Sequence, residues 1–276
     1  MRINNNRELL KRYEAYKDFV GEATFIDIAR STDPACSNQP WDALNMIIER
    51  IDVPKVLQIW TKGPRGVLRK GQGLLEECRR RGCIILCQLT VNGYGTSIEP
   101  KAPFPVDWDG IDAMIEFLKK PQAVLWRYDP VIPGISDLKI FRSLAESFSE
   151  RGITRGTYNW VETGMEVVRE RLSPFYEQID LSLDKKQFSF ELEQIANEYG
   201  IDFTILAETE RLDAELRTVS RGSWQYEWLT EIGDEFPLRD FMPGALRGGC
   251  MCAHSFDVGV EGQFENCHQC VYCFAR

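Results

Sequence analysis

Three cysteines, Cys267, Cys270 and Cys273, stand two residues apart from one another in the stretch ENCHQCVYCFAR. Clustered thiols of this kind point to metal or redox chemistry when the chain sits in a reducing compartment. Of nine cysteines, five (Cys250, Cys252, Cys267, Cys270 and Cys273) fall in residues 250–276. Structural zinc wants four ligands in a closed tetrahedron, commonly two separated pairs of cysteines. Here the pairs overlap, so Cys252 and His254 would have to complete a zinc site. Cys-x2-Cys-x2-Cys is also the opening of the bacterial ferredoxin run, in which three close thiolates hold one 4Fe-4S cluster and the fourth ligand comes from elsewhere. Either Cys250 or Cys252 closes such a cluster, for an electron-transfer or structural role, or one iron stays open for a substrate or cofactor. A third reading leaves the cysteines as ordinary small residues. Tyr272 and Phe274, flanking the last cysteine, either pack or shield a cluster from water. The remaining four read as structural: Cys83 and Cys87 in the apolar run CIILCQL, Cys78 on a charged helical segment and Cys36 in a loop.

The elements that must carry these residues alternate in type. Apolar runs at 23–29, 55–60, 83–90, 123–127, 154–160 and 202–208 predict strands, rich in Ile, Val, Leu and aromatics and nearly continuous, as in parallel strands covered on both faces. Helical patterns lie between them at 41–50, 73–81, 108–120, 137–152 and 189–200. The last two reach Gly152 and Gly200, the residue type favoured just past a helix C-terminus. Six such units predict a parallel α/β sheet, closed or partly closed as a barrel, with a doubly wound open sheet as the other solution. No Gly-x-Gly-x-x-Gly follows the first strand, which weakens a dinucleotide-binding reading.

A length of 276 residues with 43% apolar content suffices for one large core. The net charge of −9 disfavours sequence-independent binding to nucleic acid, which depends on clustered Lys and Arg. The basic run RGVLRKGQGLLEECRRRG reads as the solvated face of a helix. No apolar run reaches the roughly 20 residues of a membrane span, and the segment MRINNNRELLKRYEAYKDF is too charged for a signal peptide. The expectation is a cytoplasmic protein.

In parallel α/β folds chemistry gathers in the loops after the strands. Those loops carry Arg30, Ser31, Thr32 and Asp33; Thr61 and Lys62; Asn92, Tyr94 and Glu99; Arg127, Tyr128 and Asp129; Asn159 and Glu162; and Glu208 and Thr209. Every strand thus delivers polar side chains to one rim. Arg127 ends an apolar strand, so it must be partly buried and needs a partner, either Asp129 or a carboxylate ligand.

Across most of the chain the blocks DIARSTDPA, IWTKGP, QLTVNGYGTSIEP, VLWRYDPVI, LAE, CAHSFDVG and CVYCFA resemble, in order, those of a prokaryotic family known as domain of unknown function 1848. The cysteine cluster of that family is likened to that of radical S-adenosylmethionine (SAM) enzymes. Its tail carries Cys-x3-Cys-x2-Cys, one residue more than between Cys267 and Cys270, and two arginines often precede its first threonine, where this chain has Arg30 and Ser31. The resemblance implies a partial (β/α)6 barrel over residues 1–240 and a cluster-binding tail over 241–276 packed on the barrel mouth.

It further implies an oxygen-sensitive enzyme in which Cys267, Cys270 and Cys273 hold three irons of a 4Fe-4S cluster and SAM chelates the fourth. Arg30 or Arg127 would pair with the SAM carboxylate, since a planar guanidinium matches a carboxylate in two-point contact. Asp33, Asp129 and Glu208 would meet ribose hydroxyls or substrate. Arg127, Asp129, Tyr94 and Lys62 are the catalytic candidates; Arg30, Thr32, Asp33, Asn159 and Glu208 are the cofactor-binding ones. The partners expected are a small-molecule substrate and an electron donor such as flavodoxin or ferredoxin. The other reading is a non-catalytic barrel stapled by a closed iron–sulfur or zinc site.

Overall fold

The computed structural model describes residues 2–28, 30, 32–205, 255–259 and 264–275. Along the chain run α1 (Arg2–Val20), β1 (Phe25–Ile28), α2 (Gln39–Arg50), β2 (Val56–Thr61), α3 (Pro64–Arg80), β3 (Ile84–Thr90), α4 (Trp108–Leu118), β4 (Val124–Val131), α5 (Leu138–Glu150), β5 (Arg155–Trp160), α6 (Glu166–Leu172), α7 (Lys185–Glu198), β6 (Asp202–Ile205) and β7 (Phe256–Asp257). The strands form one sheet in the order β6-β5-β4-β3-β2-β1-β7, every pairing parallel. Among the described residues β6 and β7 are its two edges and do not pair with each other.

Local chemistry sets the helix boundaries. Asp107, Asp137 and Asp184 cap α4, α5 and α7 by accepting backbone N–H bonds from the first turn. Pro64 opens α3, where its missing N–H is not needed. Gly152 and Gly200, at φ +74° and +71°, leave α5 and α7 through the left-handed region as their residue type anticipated.

The helices pack on each other in chain order, α1 on α2, α2 on α3 and α3 on α4. Two contacts tie α4 to α5: Arg151 pairs with Asp112 at 2.7 Å, and the rings of Trp108 and Phe148 lie 5.4 Å apart. Beneath α5, Trp126 of β4 stacks on Phe141 and Phe148 at 4.9 and 4.8 Å, and the Tyr158 hydroxyl of β5 donates to Glu193 of α7 at 2.9 Å. Alternate strand residues point to opposite faces, so Ile26, Leu57, Ile59, Cys87, Leu89, Trp126 and Tyr158 build the core on this side.

The opposite face departs from the expectation of strands apolar on both sides. It carries Asp27, Gln58, Trp60, Gln88, Arg127, Thr157 and Asn159, and Asp27, Gln58, Gln88 and Thr157 are buried. Parallel strands tolerate such residues only where they satisfy each other, and here most do. Three elements have no counterpart in the sequence reading: α1, whose Tyr13 and Tyr16 pack on Phe256; the short α6; and the edge strand β7. No helix among the described residues is long and apolar enough to cross a membrane.

Candidate functional site

The cysteine-bearing tail lies on the loops that follow β1, β2 and β3. Val271 N–H donates to Ile98 O at 3.0 Å, and Lys101 N–H donates to His268 O at the same distance, so the tail is stitched to the β3–α4 loop. From β1 the Asp33 N–H reaches the Cys267 sulfur at 3.4 Å. On the other side Arg171 of α6 donates to the carbonyls of Cys273 and Ala275 and covers the Phe264 ring. Cys267, Cys270 and Cys273 therefore sit at the carboxyl-end rim where loop chemistry was expected.

Each thiol meets a different environment. At Cys267 a hydrogen bond from the Cys36 thiol holds the pKa down, assisted by the Asp33 N–H and the neighbouring His268, and the same bond with burial drives Cys36 up. Burial pushes Cys270 up to about 12, against the nearby Lys62 ammonium. Cys273 is also raised by burial, and it too feels Lys62 and the Cys267 sulfur. Lys62 is thus the cation common to Cys270 and Cys273.

Lys62 anchors a buried network. Its ammonium lies 2.7 Å from Glu99, which also accepts from Asn92 at 3.0 Å and from the Tyr272 hydroxyl. Burial opposes both charges, yet mutual attraction prevails: the Lys62 pKa is raised and that of Glu99 lowered. Asn92 extends this network to β4, donating to Asp129 O and accepting from Asp129 N–H at 2.9 Å. A register shift between Tyr128 and Val131 interrupts the β4–β5 pairing at this point, the kind of bulge that re-aims a side chain.

The Asp129 carboxylate pairs with Arg127, but the strand does not end at Arg127 as expected: β4 runs on to Val131, and both residues lie inside it. Arg127 also donates to Gln88 at 3.0 Å, Gln88 to Gln58 at 2.8 Å, and Gln58 to Asp27, a ladder across four strands. Asp27 further accepts from Trp60 Nε1 at 2.9 Å, Ser255 at 2.6 Å and Arg30. The Trp60 ring lies 4.2 Å from the Arg127 guanidinium carbon. Among the described residues, Arg127 Nε, Thr157 Oγ1 and Asn159 Oδ1 are buried on this face without a hydrogen-bond partner.

Asn92 joins Lys62, Arg127 and Asp129 in one connected network, with Asn159 two strand positions from Thr157 on the neighbouring strand. Arg30 sits at the far end of the ladder. Asp33 instead holds the rim together, accepting from Thr61, Ala35 N–H, Lys62 N–H and His268. Thr32 is buried beside it. Tyr94 packs inward, its hydroxyl engaged by Pro130 O and Ser136. Ser31, Glu208, Thr209, Cys250, Cys252 and His254 lie outside the described residues.

Sequence reading missed Asp27, Gln58, Gln88, Cys36 and His268. The glutamines were visible as lone polar residues inside apolar runs, LQI and CQL. Cys36 was visible only as a cysteine three residues past Asp33, and His268 as the residue beside Cys267.

Fold and site together define a parallel α/β protein with a thiol-rich tail seated on its strand-end rim. The chain belongs to the family described as Domain of unknown function (DUF1848), whose model matches residues 31–275. No curated protein matches the sequence.

Proposed function

We propose that the protein is a radical SAM-like enzyme of the cytoplasm, built as a partial (β/α)6 barrel and acting on a small polar substrate. Cys267, Cys270 and Cys273 would hold a 4Fe-4S cluster at the rim, leaving one iron for SAM. When reduced by a donor such as flavodoxin or ferredoxin, that cluster would supply the electron that cleaves a carbon–sulfur bond of SAM and starts radical chemistry.

The observation that carries this reading is the seating of the three-cysteine tail against loops whose hydrogen bonds run, through Asn92, into a polar sheet face. The donor set fits: three thiols on one short segment, none held in a disulfide. The unpartnered Arg127 Nε, Thr157 Oγ1 and Asn159 Oδ1 fit as well, since buried polar atoms left without partners are rare unless something binds them. Lys62 offsets negative charge beside Cys270 and Cys273, and Glu99 keeps it protonated and in place. Arg127, fixed by Asp129, Gln88 and the Trp60 ring, presents its free Nε–H to an acceptor such as a carboxylate. Asn159 Oδ1 would take a donor from the same ligand. Tyr272, half-buried with its hydroxyl on Glu99, would help shield the cluster from water.

Iron and acid-labile sulfide, measured after anaerobic reconstitution, test the ligand set. Cys267→Ala, Cys270→Ala and Cys273→Ala should each lose most of the four irons, whereas Cys250→Ala and Cys252→Ala should keep them. Equal loss in either of the latter would close the fourth position and remove the enzyme reading.

A further inference from the structure

Cys267 also belongs to a second constellation. Its sulfur, the Cys36 sulfur and a ring nitrogen of His268 all lie within 4.8 Å of one another, although Cys36 and Cys267 are far apart in sequence. We propose that Cys36, Cys267 and His268 form a three-ligand site for one thiophilic divalent ion of the zinc class, independent of Cys270 and Cys273, with the fourth position left to water or a small ligand. The inference does not rest on the cluster reading, and because Cys267 is common to both, a chain holding the divalent ion here cannot use that sulfur for a cluster.

The separation of Cys36 and His268 suits two ligands of one tetrahedral ion. With metal–sulfur bonds of about 2.3 Å and metal–nitrogen bonds of about 2.0 Å, a tetrahedron separates sulfur from nitrogen by roughly 3.6 Å; Cys36 Sγ lies 3.7 Å from His268 Nε2. Asp33 Oδ2 is 2.7 Å from the same nitrogen, joined by the proton that a metal ion would displace. The other ring nitrogen, Nδ1, lies 3.0 Å from Lys101 O, the backbone-carbonyl partner that ligating histidines use to fix their ring.

The supports are rigid. Cys36 N–H donates to Asp33 O at 2.9 Å, and the Asp33 carboxylate is held by Thr61 and two backbone N–H groups. His268 and Asp33 are both buried, so neither is a loose surface donor. Gly63 and Gly66 allow this close approach: a Cβ on Gly66 would lie 2.8 Å from Ala35 Cβ, immediately before Cys36. Binding releases the protons the sulfurs still carry and the Nε2 proton, leaving two thiolates and a neutral imidazole on a 2+ ion.

Cobalt(II) added to reduced, metal-free full-length protein under anaerobic conditions reports the site by absorption. The expected result is one cobalt per chain with tetrahedral ligand-field bands and a sulfur-to-cobalt charge-transfer band of two-thiolate intensity, displaced by zinc. Cys36→Ala and His268→Gln should each weaken binding by about a hundredfold or more, since losing a ligand's hydrogen-bond partner alone costs roughly 10–100-fold. Cys270→Ala and Cys273→Ala should bind as the parent does. Thermal unfolding of each metal-free variant separates lost ligation from lost folding, and Cys36→Ser supplies a second, isosteric variant. Parental affinity in Cys36→Ala and Cys36→Ser, or loss of the site in folded Cys270→Ala or Cys273→Ala, overturns the assignment. Either result leaves the iron and sulfide analysis to judge the cluster on its own.

Discussion

At the scale of single residues, the Lys62–Glu99 pair decides whether the rim holds its shape. Removing one member of a buried pair strands the other charge, at a cost of about 3–5 kcal/mol. Glu99→Gln should therefore destabilise the protein by about that amount in urea unfolding, and the double variant Lys62→Met/Glu99→Gln should recover a substantial part of the loss. The pH dependence follows from the directions of the two shifts. Glu99 is lowered in the folded state, so its contribution is present above the ordinary glutamate range and is lost as pH falls through its folded value. Lys62 is raised, so its contribution is present below the ordinary lysine range and is lost as pH rises through its folded value. Unfolding midpoints across pH should show the parent losing this margin at both extremes while the double variant does not. Of the site, the residues legible in sequence were those with an unusual chemical type in an apolar run or a short spacing: Cys267, Cys270, Cys273, and Arg127 with Asp129, although the last two lie inside β4 rather than after it. Cys36 and His268 were not legible, because their meeting depends on two distant segments reaching the same rim.

At the scale of elements, β4 and α5 share an aromatic cluster in the core. Trp126 is fully buried between two phenylalanines of α5. Trp126→Ala should cost about 3–5 kcal/mol, while loss of the α5 cap in Asp137→Ala should cost about 1 kcal/mol, both by urea unfolding. The principal strands were legible because their Ile, Val and aromatic content dominates short windows. Their second face was not, because one Gln in each of β2 and β3 barely alters that content; only the hydrogen bonds from Asp27 through Gln58 and Gln88 to Arg127 reveal it. The helix α1 escaped for a related reason: Tyr13 and Tyr16 are its buried contacts in a segment otherwise crowded with charge and asparagine.

At the scale of the whole molecule, sequential strands β1 to β6 lie side by side in chain order, and β7 returns beside β1 just before the cysteine tail. That topology places a segment from the far end of the chain next to the first strand and its loop, which brings Cys267 to Asp33 and Tyr272 to Glu99. A parallel α/β sheet was legible from the alternation of elements; the return of β7 was not, since a two-residue strand leaves no periodic signal. The rim is proposed to support an iron–sulfur cluster with one open iron. Electron paramagnetic resonance of anaerobically reconstituted, dithionite-reduced protein, recorded with and without SAM, tests it most directly. The expected result is a reduced 4Fe-4S signal that changes when SAM is added; a signal indifferent to SAM, or no cluster signal from fully reconstituted protein, would contradict the proposal.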